Sequence, residues 1–364
     1  MKIARVDSHS IKVPFTFGGS HKGEGLRTWT TNNILLVRVE TDDGIVGWGE
    51  AFCYGCTDAV RAALHNMIAP LAVGQDARNI AHLSYDMQQK LHLFGRYGLT
   101  IFALSGFDIA LWDIAGKAAG LPLHRLLGGA AHESLPAYAS LLKYRDPEKV
   151  AARTKLAAEQ GYRHIKLHET EEAEVKAARL AAGNDIALMV DTNCPWTPEQ
   201  ARHMTLKLRP YDLHWLEEPI FPPEDFAAIA RLRTGTGVAM AARENNCTAF
   251  QFRDMFAAGA VDYAQPSVTK VGGVTEFQKV AALADAAGVT LMPHSPYFGP
   301  GFLATLQLLA ARGTPGGMVE HYHLDLEASL YGELVKPKKG SFAVPTGPGL
   351  GRDPDPDVIK TYAA

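Results

Sequence analysis

The sequence predicts an α/β protein built on a (β/α)8-type barrel, with an accessory α+β domain ahead of it. Three observations carry this expectation. Asp191, Glu217 and Glu244 each end a short apolar run and lie about 26 and 27 residues apart, the length of one strand, one loop and one helix. From Gly129 to about residue 335, apolar runs of this kind alternate with alanine-rich helical stretches, and eight can be counted. The chain has 364 residues, 47% of them hydrophobic, which is more than one barrel of about 250 residues needs.

The first segment reads as β. Lys2 to Val13 alternates loosely, and residues 34–40 run through Thr41-Asp42-Asp43-Gly44 into residues 45–50, a hairpin closed by an Asp-Gly turn. Residues 16–31, between the first two strands, are Gly-rich and carry His21, Lys22 and Arg27, the composition of a connection or of a lid over a site. From Asp58 to Gly120 the period becomes helical. Phe102, Leu104, Phe107, Ile109, Leu111, Trp112 and Ile114 then fall largely on one buried side, and Gly120-Leu121-Pro122 stops the run.

The barrel strands are expected at residues 135–140, 163–168, 186–191, 212–217, 238–243, 261–265, 289–294 and 317–321, with helices such as 147–159 and 276–287 between them. Residues 341–364 are rich in Pro and Gly and show no clear helix or strand. They are expected to pack back on the N-terminal domain.

In such a barrel the strand ends meet at the C-terminal mouth, where chemistry is done. The ends here are polar: Lys166 and His168, then Asp191, Glu217 and Glu244, then Gln265, Ser267 and Lys270, then His294, and last Glu320. Three converging carboxylates repel unless a hard divalent cation lies between them, and oxygen-only ligation suits magnesium better than zinc. A lysine at a strand end is often only a surface charge, and most of 14 histidines have no chemical task, so residue type alone does not assign Lys166 or His294.

Composition excludes other classes. A net charge of −3 without a basic block argues against nucleic acid. No stretch approaches about 18 uninterrupted apolar residues and the start carries no secretory core, so a cytoplasmic protein without a membrane partner is expected. Of four cysteines only Cys53-Tyr54-Gly55-Cys56 has metal or redox spacing, and it lacks a second such pair, so two loop thiols are expected.

Several strings carry a resemblance. They are Gly47-Trp48-Gly49-Glu50-Ala51, the helix with Asp108, Trp112, Asp113 and Lys117, and Leu127-Gly128-Gly129. Further on come Trp215-Leu216-Glu217-Glu218-Pro219, Gln265-Pro266 with Lys270-Val271-Gly272-Gly273, and Pro348-Gly349-Leu350-Gly351. Together they resemble the enolase superfamily, and within it the mandelate racemase-like subgroup of the mandelate racemase/muconate lactonizing enzyme family.

The resemblance implies a modified TIM barrel, (β/α)7β, with an α+β capping domain. Residues 1–129 would form the cap, 130–337 the barrel, and 338–364 a segment returning to the cap. It implies Mg2+ on Asp191, Glu217 and Glu244, and a base that removes the proton α to a carboxylate to give an enediolate. Lys166 and His294 match the acid/base positions. His168 is either the base or a neighbour of the carboxylates, and Glu320 matches an acid that hydrogen-bonds the substrate carboxylate, for which it must be protonated or share a proton in a closed site. Ser267 stands where relatives with a His/Asp dyad carry aspartate, which leaves His294 without that charge and weakens a racemase assignment.

Tyr54, His21, Lys22 and Arg27 occupy cap segments that contact substrate in relatives. Gln265, Ser267 and Lys270 flank the same mouth, and Asn193 and Asn245 are placed for hydroxyls or the metal shell; His321 and His323 read as structural. The expected activity is dehydration of an acid sugar. Alternatives are racemisation or epimerisation, lactone cycloisomerisation, a Schiff-base aldolase on Lys166, or a homologue without turnover. The expected partner is a small carboxylate, with a homo-oligomeric assembly.

Overall fold

A computed structural model describes residues 1–19, 29–129, 132–312 and 316–364. The chain starts with an antiparallel meander of β1 (Ile3–Thr16), β2 (Thr31–Thr41) and β3 (Val46–Ala51). Ile11 of β1 lies opposite Ile34 of β2, and Val39 of β2 lies opposite Gly47 of β3, the latter being the register that the Asp-Gly turn sets. Helix Leu99–Ala119 packs on this sheet, and the glycines of β3 are the reason it can lie so close. A Cβ on Gly49 would collide with the Gly106 carbonyl oxygen, and one on Gly47 with that of Ala110. The helix is long and apolar enough to cross a membrane, but 78% of its most apolar window is buried inside this fold.

Eight strands follow: β4 (Ser134–Ser140), β5 (His164–Leu167), β6 (Ala187–Asp191), β7 (Leu213–Glu217), β8 (Met240–Ala242), β9 (Tyr263–Ala264), β10 (Thr290–Leu291) and β11 (Val319–Tyr322). They are parallel, in the order β11-β4-β5-β6-β7-β8-β9-β10, at the positions expected from the sequence. Strands β9 and β10 are short because Pro266 and Pro293 follow and cannot donate to a ladder. Between β10 and β11 no ladder pairs the described residues. There Ser295 bridges instead: its hydroxyl donates to the Glu320 carbonyl at 3.2 Å and accepts the Glu320 N–H at 3.0 Å.

The tail differs from expectation. After β12 (Asp325–Leu326) adds to β1, β13 (Ser341–Ala343) pairs antiparallel with β4 of the barrel. Helix Pro356–Thr361 then forms, its N-terminus capped by Asp355, which accepts the N–H groups of Asp357 and Val358. Six residues are too few for a helical period to show in sequence. Beyond the strand the tail meets the N-terminal segment: Leu350 N–H donates to Asp113 at 2.8 Å, and Ala364 N–H to the Ser10 carbonyl at 2.9 Å.

Other polar residues of the N-terminal strings tie this segment to the barrel. Asp108 accepts the Thr275 N–H at 3.0 Å, Trp112 donates to the Thr275 hydroxyl at 2.9 Å, and Glu50 accepts the Gly301 N–H at 2.8 Å. Inside the barrel, Tyr138, Met189, Trp215, Ala241, Met292 and Met318 form a plug. The site lies above it.

Candidate active site

Three carboxylates stand side by side because β6, β7 and β8 end at one level. Asp191 is in register with Glu217, and Glu244 follows two residues beyond β8. One oxygen of each lies within 4.8 Å of the others. Trp215 Nε1–H donates to Glu217 Oε2 at 2.9 Å, so the indole of the plug also fixes the orientation of that carboxylate.

Cationic groups flank the triad in two sets. Lys166 is fully buried, with Nζ 2.9 Å from Glu217 Oε1, 2.8 Å from Glu320 Oε1 and 3.5 Å from Asp191 Oδ2. Burial disfavours its charge, but Glu217 and Glu320 outweigh that and hold it well above the usual lysine range. His168 lies beside it. Its Nδ1 faces the Leu141 carbonyl at 2.5 Å and its Nε2 faces Asp191 at 3.4 Å; burial opposes protonation, yet the Asp191 contact carries it above the ordinary histidine value.

On the other side, His294 Nε2 is 2.7 Å from Glu244 Oε2, and Lys270 Nζ is 2.8 Å from Glu244 Oε1. Burial would raise Glu244, but His294 and Lys270 keep it well below the carboxylate range. Lys270 Nζ also sits 4.1 Å from the centre of the Phe52 ring. His168, Lys270 and His294 border a cavity of about 550 Å³, whose wall includes Phe17, Trp29, Phe52, Tyr54, Tyr144 and Tyr322.

Residues 149–358 match the family described as enolase C-terminal domain-like, and residues 24–128 match the mandelate racemase / muconate lactonizing enzyme N-terminal domain. The chain belongs to the enolase superfamily. It is 32% identical over 339 residues to the arabinonate dehydratase of Saccharolobus solfataricus, covering 90% of each chain. It is 33% identical over 347 residues to the D-galactarolactone cycloisomerase of Agrobacterium fabrum, again covering 90% of each. Among solved structures, a racemase from Streptomyces coelicolor with bound magnesium matches at a TM-score of 0.87 and 28% identity, over 100% of both chains.

Enolase-superfamily enzymes bind a metal, and the donor set here fits one: three carboxylates, no sulfur, at the mouth of the barrel. Of the other residues singled out in the sequence, His168, His294, Lys270, Asn193 and Tyr54 line the cavity. Gln265 and Ser267 do not. Both are completely buried, Gln265 beside Glu217 and Ser267 against His294. His21, Lys22 and Arg27 lie outside the described residues.

Glu320 sits against Lys166, placed to share its proton. Its Oε1 accepts from Ser140 at 2.8 Å and pairs with Lys166, and its Oε2 accepts the Ser295 N–H at 3.2 Å. Burial would raise it, yet Lys166 holds it below the ordinary carboxylate value. His321 and His323 are structural, as read. His321 Nδ1 bonds the Tyr162 hydroxyl at 2.8 Å, and His323 Nε2 bonds Gln160 at 2.6 Å.

Cys53 is buried, its thiol donating to the Asn33 carbonyl at 3.4 Å and pushed up to about 12 by burial, which leaves little thiolate for metal or redox work. Sequence reasoning missed the aromatic wall. Trp29 packs 5.3 Å from Tyr54 and 6.1 Å from Tyr322, centre to centre, and joins three distant segments that no local pattern connects. It also missed Tyr297, whose hydroxyl lies 3.3 Å from His294 Nδ1 and bonds Ser267 closely; its place three residues after His294 was the available signal.

Proposed function

We propose that this protein is a magnesium-dependent acid-sugar dehydratase in which Lys166 removes the proton α to the substrate carboxylate and His294 protonates the departing β-hydroxyl. The carrying observation is that Lys166 contacts the Asp191 and Glu217 side of the carboxylate triad and His294 the Glu244 side, with His294 and Glu244 lining one cavity and Lys166 buried behind its wall. Residues 130–337 would supply this chemistry, and residues 1–129 with 338–364 the cap over it.

Asp191, Glu217 and Glu244 would hold the magnesium ion, which would supply positive charge to meet the second negative charge formed on the substrate carboxylate. Lys166 then takes the α-proton. His294 faces only hydroxyls at Nδ1, with Ser267 Oγ at 3.4 Å and Tyr297 Oη at 3.3 Å. Its carboxylate contact is at Nε2 instead, 2.7 Å from Glu244 Oε2, and in this reading His294 gives its proton to the leaving hydroxyl. The enol product tautomerises to a 2-keto-3-deoxy acid.

A second reading, lactone cycloisomerisation, is favoured by the aromatic wall, which offers ring faces to the C–H face of a cyclic sugar. The test is incubation with a library of sugar acids and their lactones in D2O with Mg2+. Keto acid formation marks the dehydratase and lactone ring opening marks the cycloisomerase. Absence of both, with no α-deuterium in any substrate, defeats the proposal.

A further inference from the structure

Eight described non-glycine residues have positive φ, and four of them adjoin the carboxylate triad: Asn193 (54°) and Cys194 (57°) after Asp191, Glu218 (44°) after Glu217, and Arg243 (89°) before Glu244. Backbone of this kind costs of the order of 1–3 kcal/mol per residue and persists only where surrounding bonds enforce it. Asn193 is held by Asp191 itself, whose Oδ1 accepts its N–H at 3.0 Å. The other turns converge on Glu218.

Glu218 is 6% exposed and lies outside the triad. Its carbonyl accepts the Cys194 N–H at 2.6 Å and the Thr192 hydroxyl at 3.0 Å, which fixes the end of β6. Its own N–H donates to the Ala241 carbonyl at 3.1 Å, in β8. Its carboxylate Oε1 accepts the Arg243 N–H at 3.2 Å, and its Oε2 receives the Cys194 thiol at 3.7 Å. The buried Arg243 side chain bonds Asn246 at 2.5 Å and lies over the Phe226 ring, so among its hydrogen bonds to described residues the one to another ligand-bearing strand is its N–H to Glu218. One residue therefore joins the ends of all three ligand-bearing strands.

We infer that Glu218 is a positioning residue for the metal: its carboxylate holds the strained turn at Arg243 so that Glu244 reaches the same point as Asp191 and Glu217. This rests on the metal site of the proposed function. The role is one of hydrogen-bond reach rather than charge. An amide oxygen at the same place can still accept the Arg243 N–H, whereas a side chain one methylene shorter cannot reach it.

The test is Mn2+ binding to the full-length, chelator-stripped protein, followed by electron paramagnetic resonance, with the melting temperature of the metal-free protein measured alongside. Glu218→Asp and Glu218→Ala should each weaken Mn2+ about 10- to 100-fold, the usual effect of removing a support behind a ligand. Glu218→Gln should stay within about threefold of wild type. If Glu218→Ala fails to fold, Glu218→Asp, which keeps the charge, carries the test. Unchanged affinity in Glu218→Asp, with only a lowered melting temperature, overturns the inference by showing a merely structural role. Equal loss in Glu218→Gln and Glu218→Asp overturns it by showing that reach of an acceptor oxygen is not what matters. Wild-type protein that binds no Mn2+ overturns the metal site, and the inference with it.

Discussion

His294 Nε2 and Glu244 Oε2 stand 2.7 Å apart, so the group assigned to the leaving hydroxyl touches one carboxylate of the triad directly, while Lys166 serves the opposite pair. With acid and base on separate sides, their loss should arrest different steps. Lys166→Ala should abolish both α-hydrogen exchange and product formation, since general-base catalysis is worth roughly 10²–10⁴. His294→Asn should lose product but keep some α-deuterium incorporation in D2O. If His294→Asn stops exchange and Lys166→Ala does not, base and acid are inverted.

The triad gives a second expectation. Chelator should abolish activity and Mg2+ should restore it, because oxygen donors hold a hard cation reversibly. Glu244→Gln should lower kcat by about 10²–10³, the scale of one preorganised electrostatic group. Full activity in excess chelator would show that the carboxylates need no ion.

The tail gives a third. It supplies β13 to the barrel, buries Phe342 and Leu350, and places Leu350 N–H on Asp113 of the helix under the N-terminal sheet. A chain ending at residue 337 should lose activity and melt lower. Unchanged melting in a scanning calorimeter would mean that this segment is dispensable.

The barrel was legible because strand and helix periods are local, and its eight strands recur where apolar runs end in polar residues. The triad was legible for the same reason: Asp191, Glu217 and Glu244 sit at equivalent points of successive units. What surrounds them was not. Ser267 and Gln265 sit at a strand end, as their position indicates, but that they are buried against His294 and Glu217 depends on contacts between strands that no local pattern carries. Glu320 was legible as a strand-end acid, but its partner Lys166 is more than 150 positions away in sequence. Trp29, Tyr54 and Tyr322 meet only through tertiary packing. Pairings of that kind leave no period to read.

Glu50 supplies the last expectation, which concerns stability. It is buried between the N-terminal sheet and the helix Pro300–Ala310, where it accepts the Gly301 N–H at 2.8 Å, and burial, partly offset by that bond, pushes it from 4.5 to about 7. A carboxyl raised in the folded state binds its proton more tightly there than in the unfolded chain. Its contribution is therefore neutral below about pH 4.5, turns progressively unfavourable as pH climbs to about 7, and is constant above that. At about 1.4 kcal/mol for each tenfold gain in proton affinity, the cost is on the order of a few kcal/mol. Asp108, raised to about 7 by burial, adds a slope of the same sign, so the wild-type curve alone does not isolate Glu50. Glu50→Gln keeps an acceptor for Gly301 and removes the titration. Its melting temperature relative to wild type should rise between pH 5 and pH 8 by a few °C, roughly. A difference that stays flat across that range would mean that Glu50 does not titrate there.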